Sequence, residues 1–159
     1  GYYPEDMGFD INVGGNENGG PGGYFPPYPS VNKNLKMDQN EEYLTDRLGT
    51  EVVKFIEKNK ENRFFAYVPF YSVHTPIQSK PDYEIKYKKK KSDDFHNRAD
   101  YAGMIQSLDE NIGKILNKIN ENPVNLLAPL IPGRLSTYIY DDEKTYYDME
   151  LELYRANAV

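Results

Sequence analysis

The chain has no cysteine. That excludes a disulfide framework, a thiolate metal site and a cysteine nucleophile, and it leaves thiol usage silent about the redox compartment. No apolar window approaches the length of a membrane span. Gly1-Tyr2-Tyr3-Pro4-Glu5 shows none of the basic-then-apolar pattern of a secretory leader, so any leader is expected upstream. An excess of positive charge is missing as well: 25 acidic residues against 19 basic ones give a net charge of -6, which offers no overall pull on nucleic acid or an anionic lipid surface. A site for polyanions therefore has to be local. What is present suffices for one core and not two, because 159 residues with 38% hydrophobic and 28% charged side chains sit near globular averages.

Residues 1–40 are rich in Gly, Pro, Asn and Tyr, with the run Gly14-Gly15-Asn16-Glu17-Asn18-Gly19-Gly20 leading to Tyr24-Phe25-Pro26-Pro27-Tyr28. Such composition forbids regular helix. Tyr24, Phe25 and Tyr28 nonetheless give the segment apolar surface to bury, which predicts an ordered loop pinned by aromatics in preference to a flexible linker. From about 41 to 58, Leu44, Leu48, Val52, Phe55 and Ile56 recur every three or four residues and predict an amphipathic helix. Its start is signalled twice, by Asp38 with Glu41 and by Thr45 with Asp46.

Phe64 to His74 is a continuous run of aromatic and β-branched residues that predicts a buried strand, paired over Phe64 to Val68 because Pro69 cannot donate to a ladder. His74 then falls just beyond the strand's carboxyl end. Lys80 to Ser92 carries Lys86 and Lys88 to Lys91 among tyrosines and reads as an exposed helical or irregular excursion. Tyr101, Ile105, Leu108, Ile112, Ile115 and Ile119 predict a second helix over 98–119. After a Pro-punctuated stretch, Leu135 to Tyr140 and Tyr146 to Leu151 flank Asp141-Asp142-Glu143-Lys144 as strands flank a hairpin turn.

Taken in order, several short segments resemble the sulfatase family of the alkaline phosphatase-like superfamily. They are Tyr3-Pro4-Glu5-Asp6, Gly14-Gly15-Asn16, Tyr24-Phe25, Tyr43-Leu44-Thr45-Asp46-Arg47-Leu48, Phe64-Phe65-Ala66-Tyr67, Val73-His74-Thr75-Pro76, Tyr101-Ala102-Gly103-Met104 and Leu108-Asp109-Glu110-Asn111. The resemblance implies an α/β fold, a mostly parallel sheet flanked by helices with a C-terminal antiparallel hairpin. Residues 1–120 would be the central part of the catalytic domain, 121–134 an irregular junction and 135–159 strands of the C-terminal subdomain. It also implies hydrolysis of sulfate monoesters, a sulfated small molecule or sulfated glycan as partner, and a secreted, periplasmic or lysosomal setting. Neither nucleic acid nor a membrane span is implied. His74 is carried over as the residue whose ring N–H meets the sulfate, with Asn16 and Tyr24 in a loop at the substrate rim. Open α/β sheets bind ligands beyond their strands' carboxyl ends, which agrees with that placement. The plainer role for His74 is to satisfy a backbone carbonyl at a Pro turn.

Two parts of the family pattern are not found. The formylglycine precursor, a Cys or Ser in a Cys/Ser-x-Pro/Ala-x-Arg motif, has no match. The calcium ion that the resemblance implies would need an Asp pair and an Asp-Asn pair, and neither can be placed. Asp141-Asp142 reads as a hairpin turn and Asp93-Asp94 as a solvated one. The expectation is a sulfatase-like chain that is inactive by itself. Two alternatives stand beside it: a non-catalytic module that binds sulfated glycans through His74, the Gly14 to Tyr28 loop and Lys88 to Lys91, and a related phosphoryl or phosphonate hydrolase.

Overall fold

The periodic apolar residues between 44 and 56 form helix α1, Leu44–Asn59. It buries Leu44, Leu48 and Ile56, which lie on one stripe, together with the small Thr45 and Gly49. In this computed structural model, residues 3–28, 35, 42–93, 95 and 97–121 are described. Pro81–Lys88 is α2, started by Pro81 at a position where a missing N–H costs nothing, and Ala99–Glu121 is α3. Pro4–Met7 makes a short 3-10 turn closed by Gly8 at φ 93, a left-handed conformation that glycine adopts without strain. The chain divides into two units, Gly1–Lys118 and Ile119–Val159. Of the second unit only the end of α3 is described, so the expected junction at 121–134 and hairpin at 135–159 lie outside the described residues.

Two expectations are corrected. The start of α1 is not capped by Thr45: Tyr43 precedes the helix without a side-chain bond to its first turn, and the Leu44 N–H is satisfied at 2.8 Å by the carbonyl of Tyr24. Thr45 lies inside the helix, buried, with its hydroxyl 2.6 Å from that of Ser72. The alternative signal at Asp38 and Glu41 lies outside the described residues.

Second, Phe64 to Val68 does not form a buried strand; among the described residues no strand is found, and Phe65 and Tyr67 are 72% and 70% exposed. A ladder needs a neighbouring chain segment to receive its N–H and C=O groups, and aromatic, β-branched composition alone cannot supply one. The mostly parallel sheet is accordingly absent from the described residues.

The face that α3 buries shares only Leu108 with its stripe of Tyr101, Ile105, Leu108, Ile112, Ile115 and Ile119. Gly103, Met104, Ser107, Leu108 and Asn111 face inward, while Tyr101 and Ile105 stay 41% and 47% exposed. At 3.6 residues per turn the two faces are separated by roughly a quarter turn.

The inward face of α3 is chosen by fit. A Cβ placed on Gly49 of α1 would lie 2.3 Å from Asn111 Oδ1, so glycine is what permits the close approach of these helices. Asn111 is fully buried; its amide donates to Asp46 Oδ1 at 2.6 Å and to the Ser107 carbonyl at 2.7 Å. Asp46 also pairs with Lys80 at 2.7 Å, which ties the start of α2 to both helices. Around this polar node the core gathers Tyr24, Tyr28, Leu35, Tyr43, Leu44, Leu48 and Met104. Burying side chains such as Leu44 and Met104 contributes about 1.5–3 kcal/mol each, and here it fixes the aromatic loop onto α1.

Candidate functional site at the His74 turn

The glycine-rich segment is an ordered loop held by side chains. The Asn12 carboxamide oxygen accepts the Gly15 N–H at 3.0 Å and its amide donates to the Gly15 carbonyl at 3.1 Å, closing a tight turn around Gly14. Gly14 sits at φ 79, and its carbonyl accepts the Tyr71 hydroxyl at 2.7 Å. Asn16 donates to the same Tyr71 oxygen at 3.4 Å and accepts the Asn18 N–H at 2.7 Å. Thus the loop is stitched to the stretch that leads into His74.

That stretch bends sharply. The His74 N–H returns to the Tyr71 carbonyl at 2.8 Å, and cis peptide bonds occur at Ser72-Val73 and Thr75-Pro76. Tyr24 grips the bend from inside: its hydroxyl accepts the His74 N–H at 3.1 Å and shares its proton between the carbonyls of Tyr71, 2.8 Å away, and His74, 3.0 Å away. Burial raises the Tyr24 phenol above its ordinary value, which keeps it a donor at any physiological pH. The Tyr43 ring stacks on Tyr24 at 5.6 Å and its hydroxyl donates to the Gln78 carbonyl at 2.8 Å, while Gln78 accepts the Tyr24 N–H at 2.9 Å. Burial likewise pushes the Tyr28 phenol up to about 12; its hydroxyl donates to the Glu42 carbonyl.

With its main chain so held, His74 leaves its ring exposed beside the glycine loop. A Cβ on Gly20 would stand 3.1 Å from His74 Cε1, so the imidazole lies directly against that residue. The ring's Nδ1 is 2.7 Å from the Thr75 carbonyl. A carbonyl only accepts, which assigns the proton to Nδ1 and leaves Nε2 as the outward-facing nitrogen. In the neutral ring that Nε2 is a lone pair; in the imidazolium it is an N–H donor.

Of the residues named from sequence, His74 and Asn16 are on the loop-and-turn surface, whereas Tyr24 is fully buried beneath it. Tyr24 supports the turn and presents nothing to an outside molecule. Asp93 is exposed and accepts the Phe95 N–H at 2.9 Å, as a solvated turn would. Sequence reasoning missed the hydroxyl pair Thr45–Ser72 and the Gln78 bracket; both are common polar residues with no motif to mark them. Among the described residues no group of three or more His, Cys, Asp or Glu could hold a metal ion. No helix among them is long and apolar enough to cross a membrane.

The described geometry defines a class: a helix-backed turn offering one imidazole beside a glycine-rich loop. A family model described as Sulfatase matches residues 3–126, and the chain belongs to that family. It is 39% identical over 98 residues to a sulfatase of Formosa agariphila, covering 60% of this chain and 18% of that protein. It is 26% identical over 87 residues to human steryl-sulfatase, covering 55% of this chain and 13% of that one. The chain thus spans less than a fifth of the length of these relatives. Among solved structures it is similar to that of Ps i-CgsB, alone at 31% identity and with k-i-k-neocarrahexaose at 33%, each with a TM-score of 0.47 and covering 58% of this chain and 20% of that chain.

Proposed function

We propose that the chain serves a sulfuric ester hydrolase, and that His74 presents Nε2–H to the sulfate group of the substrate. The observation that carries this reading is the exposed ring at a main-chain-locked turn against Gly20. Family membership supplies the anion. Because Nδ1 is committed to the Thr75 carbonyl, the ring donates to sulfate from Nε2 in its imidazolium form. A positioned donor of this kind stabilises charge that shifts during S–O cleavage. The glycine-rich loop would line a sugar or an aryl leaving group, with half-buried Phe25 the aromatic free to meet either. Calcium belongs to the proposal for the full-length protein only, with ligands other than the described residues. The finer fold belongs here too: in the full-length protein Phe64 to Val68 would pair within a mostly parallel sheet.

The test uses the chain's two histidines, His74 and His96. In a spectrum of the isotope-labelled histidine rings, sulfate should move the His74 signals, and chloride at the same ionic strength should have little effect. Signals of His74 indifferent to sulfate would sink the reading. In the full-length protein, His74→Ala should lower kcat on a sulfate ester by about 10²–10³. Greater loss on a phosphate ester would instead support the phosphoryl hydrolase.

A further inference from the structure

We propose that Lys86 to Lys91, at the far end of α2, forms a second anion-binding surface that seats a sugar ring of a sulfated glycan on Tyr87 between lysine ammonium groups. The Tyr87 ring has Lys86 Nζ at 5.3 Å and Lys90 Nζ at 4.9 Å from its centroid. Both ammoniums stand over the ring, and a sulfated sugar whose C–H groups pack on that face draws the two exposed lysines out to its sulfates.

The position of the lysines along the helix says which of them local structure explains. Lys86 and Lys88 fall in the last turn of α2, where cations complement the helix dipole. Lys88 also pairs with Glu84 at 2.5 Å, and Lys86 donates to Gln106 at 2.9 Å. Lys89, Lys90 and Lys91 lie past that turn and are exposed, and among the described residues Lys89 and Lys91 make no ion pair. Five lysines in six residues without an acid repel one another, in a chain whose net charge is -6. An anion bound along them removes that repulsion. A single half-buried ring offers one seat, which suits one sugar unit better than the successive stacked bases of a nucleic acid.

The eight residues of α2 rise about 12 Å, which sets this surface that far from the Lys80 end of the helix. The surface stands on its own geometry; only the choice of a sulfated ligand rests on the hydrolase reading.

The experiment measures binding of the 159-residue chain to heparin, to unsulfated hyaluronate and to single-stranded DNA. Heparin should bind and hyaluronate should not, and DNA should bind at least tenfold more weakly. Neutralising Lys89, Lys90 and Lys91 together to Gln should weaken heparin binding by about tenfold and flatten its salt dependence. Tyr87→Ala should weaken it several-fold with the salt dependence unchanged, because it removes the seat and leaves the charge. Equal binding of DNA, an unaffected triple variant or an unaffected Tyr87→Ala would each overturn the proposal. Failure of sulfate to move the His74 ring would end the hydrolase reading and leave this surface standing.

Discussion

Replacing Gly49 by Ala sets two opposing effects against each other. In an exposed helix the change favours folding by about 1 kcal/mol, since glycine has the greater backbone freedom to lose. At this position the added Cβ would meet Asn111 Oδ1, Cγ and Cβ at 2.3, 2.7 and 2.9 Å. Asn111 has nowhere to go without giving up its bonds to Asp46 and the Ser107 carbonyl, because it is fully buried. Overpacking costs about 1–3 kcal/mol, and a buried amide left without partners about 1–3 kcal/mol more. Set against the propensity gain, the net loss is about 1–5 kcal/mol. Urea unfolding followed by circular dichroism should therefore show the midpoint of Gly49→Ala lowered by roughly 0.3 M or more, given slopes of about 1–3 kcal/mol/M. The double variant with Asn111→Ala should lose less than the sum of the single changes, since the two side chains contend for one space. A midpoint equal to or above that of the parent protein would refute the close contact between α1 and α3.

Tyr24→Phe keeps the ring stacked on Tyr43 and removes the hydroxyl; the His74 N–H retains the Tyr71 carbonyl, so the same measurement should show a loss of only about 1 kcal/mol. Gly20→Ala meets an exposed imidazole at 3.1 Å, which can swing away. It should leave stability within about 0.5 kcal/mol of the parent while shifting the His74 ring signals and weakening their response to sulfate. Glu110 is desolvated, which raises its carboxyl, but hydrogen bonds from Tyr83 and Gln106 win and hold it below the ordinary value of 4.5. A depressed carboxyl stabilises the fold above its unfolded value and loses that contribution as pH falls through its folded one. Glu110→Gln should thus narrow the stability difference between pH 7 and pH 3, read as urea midpoints at the two values; an unchanged difference would contradict the shift.

Helix α1 was legible because Leu44, Leu48 and Ile56 are apolar, periodic and buried alike. The extent of α3 was legible for the same reason, but its inward face was not. Hydropathy ranks Ile105 above Gly103, Ser107 and Asn111, whereas close approach of two backbones selects the small residues and one amide that reaches Asp46. The His74 turn stood out in sequence through its His-Thr-Pro context, and the family through the order of its landmarks. The role of Tyr24 was hidden, since a tyrosine in a glycine-rich loop reads equally as a rim or as an anchor until its burial is known. Phe64 to Val68 carries strand composition, yet pairing depends on a neighbour that composition does not specify.

The grip on the His74 bend runs through peptide groups, the hydroxyl of Tyr24 and the carbonyls it meets, and leaves the imidazole out of the bargain. Folding and chemistry are thereby decoupled at this position. A different side chain at 74 would inherit the same platform, so the reactivity of this surface is interchangeable in a way that its architecture is not.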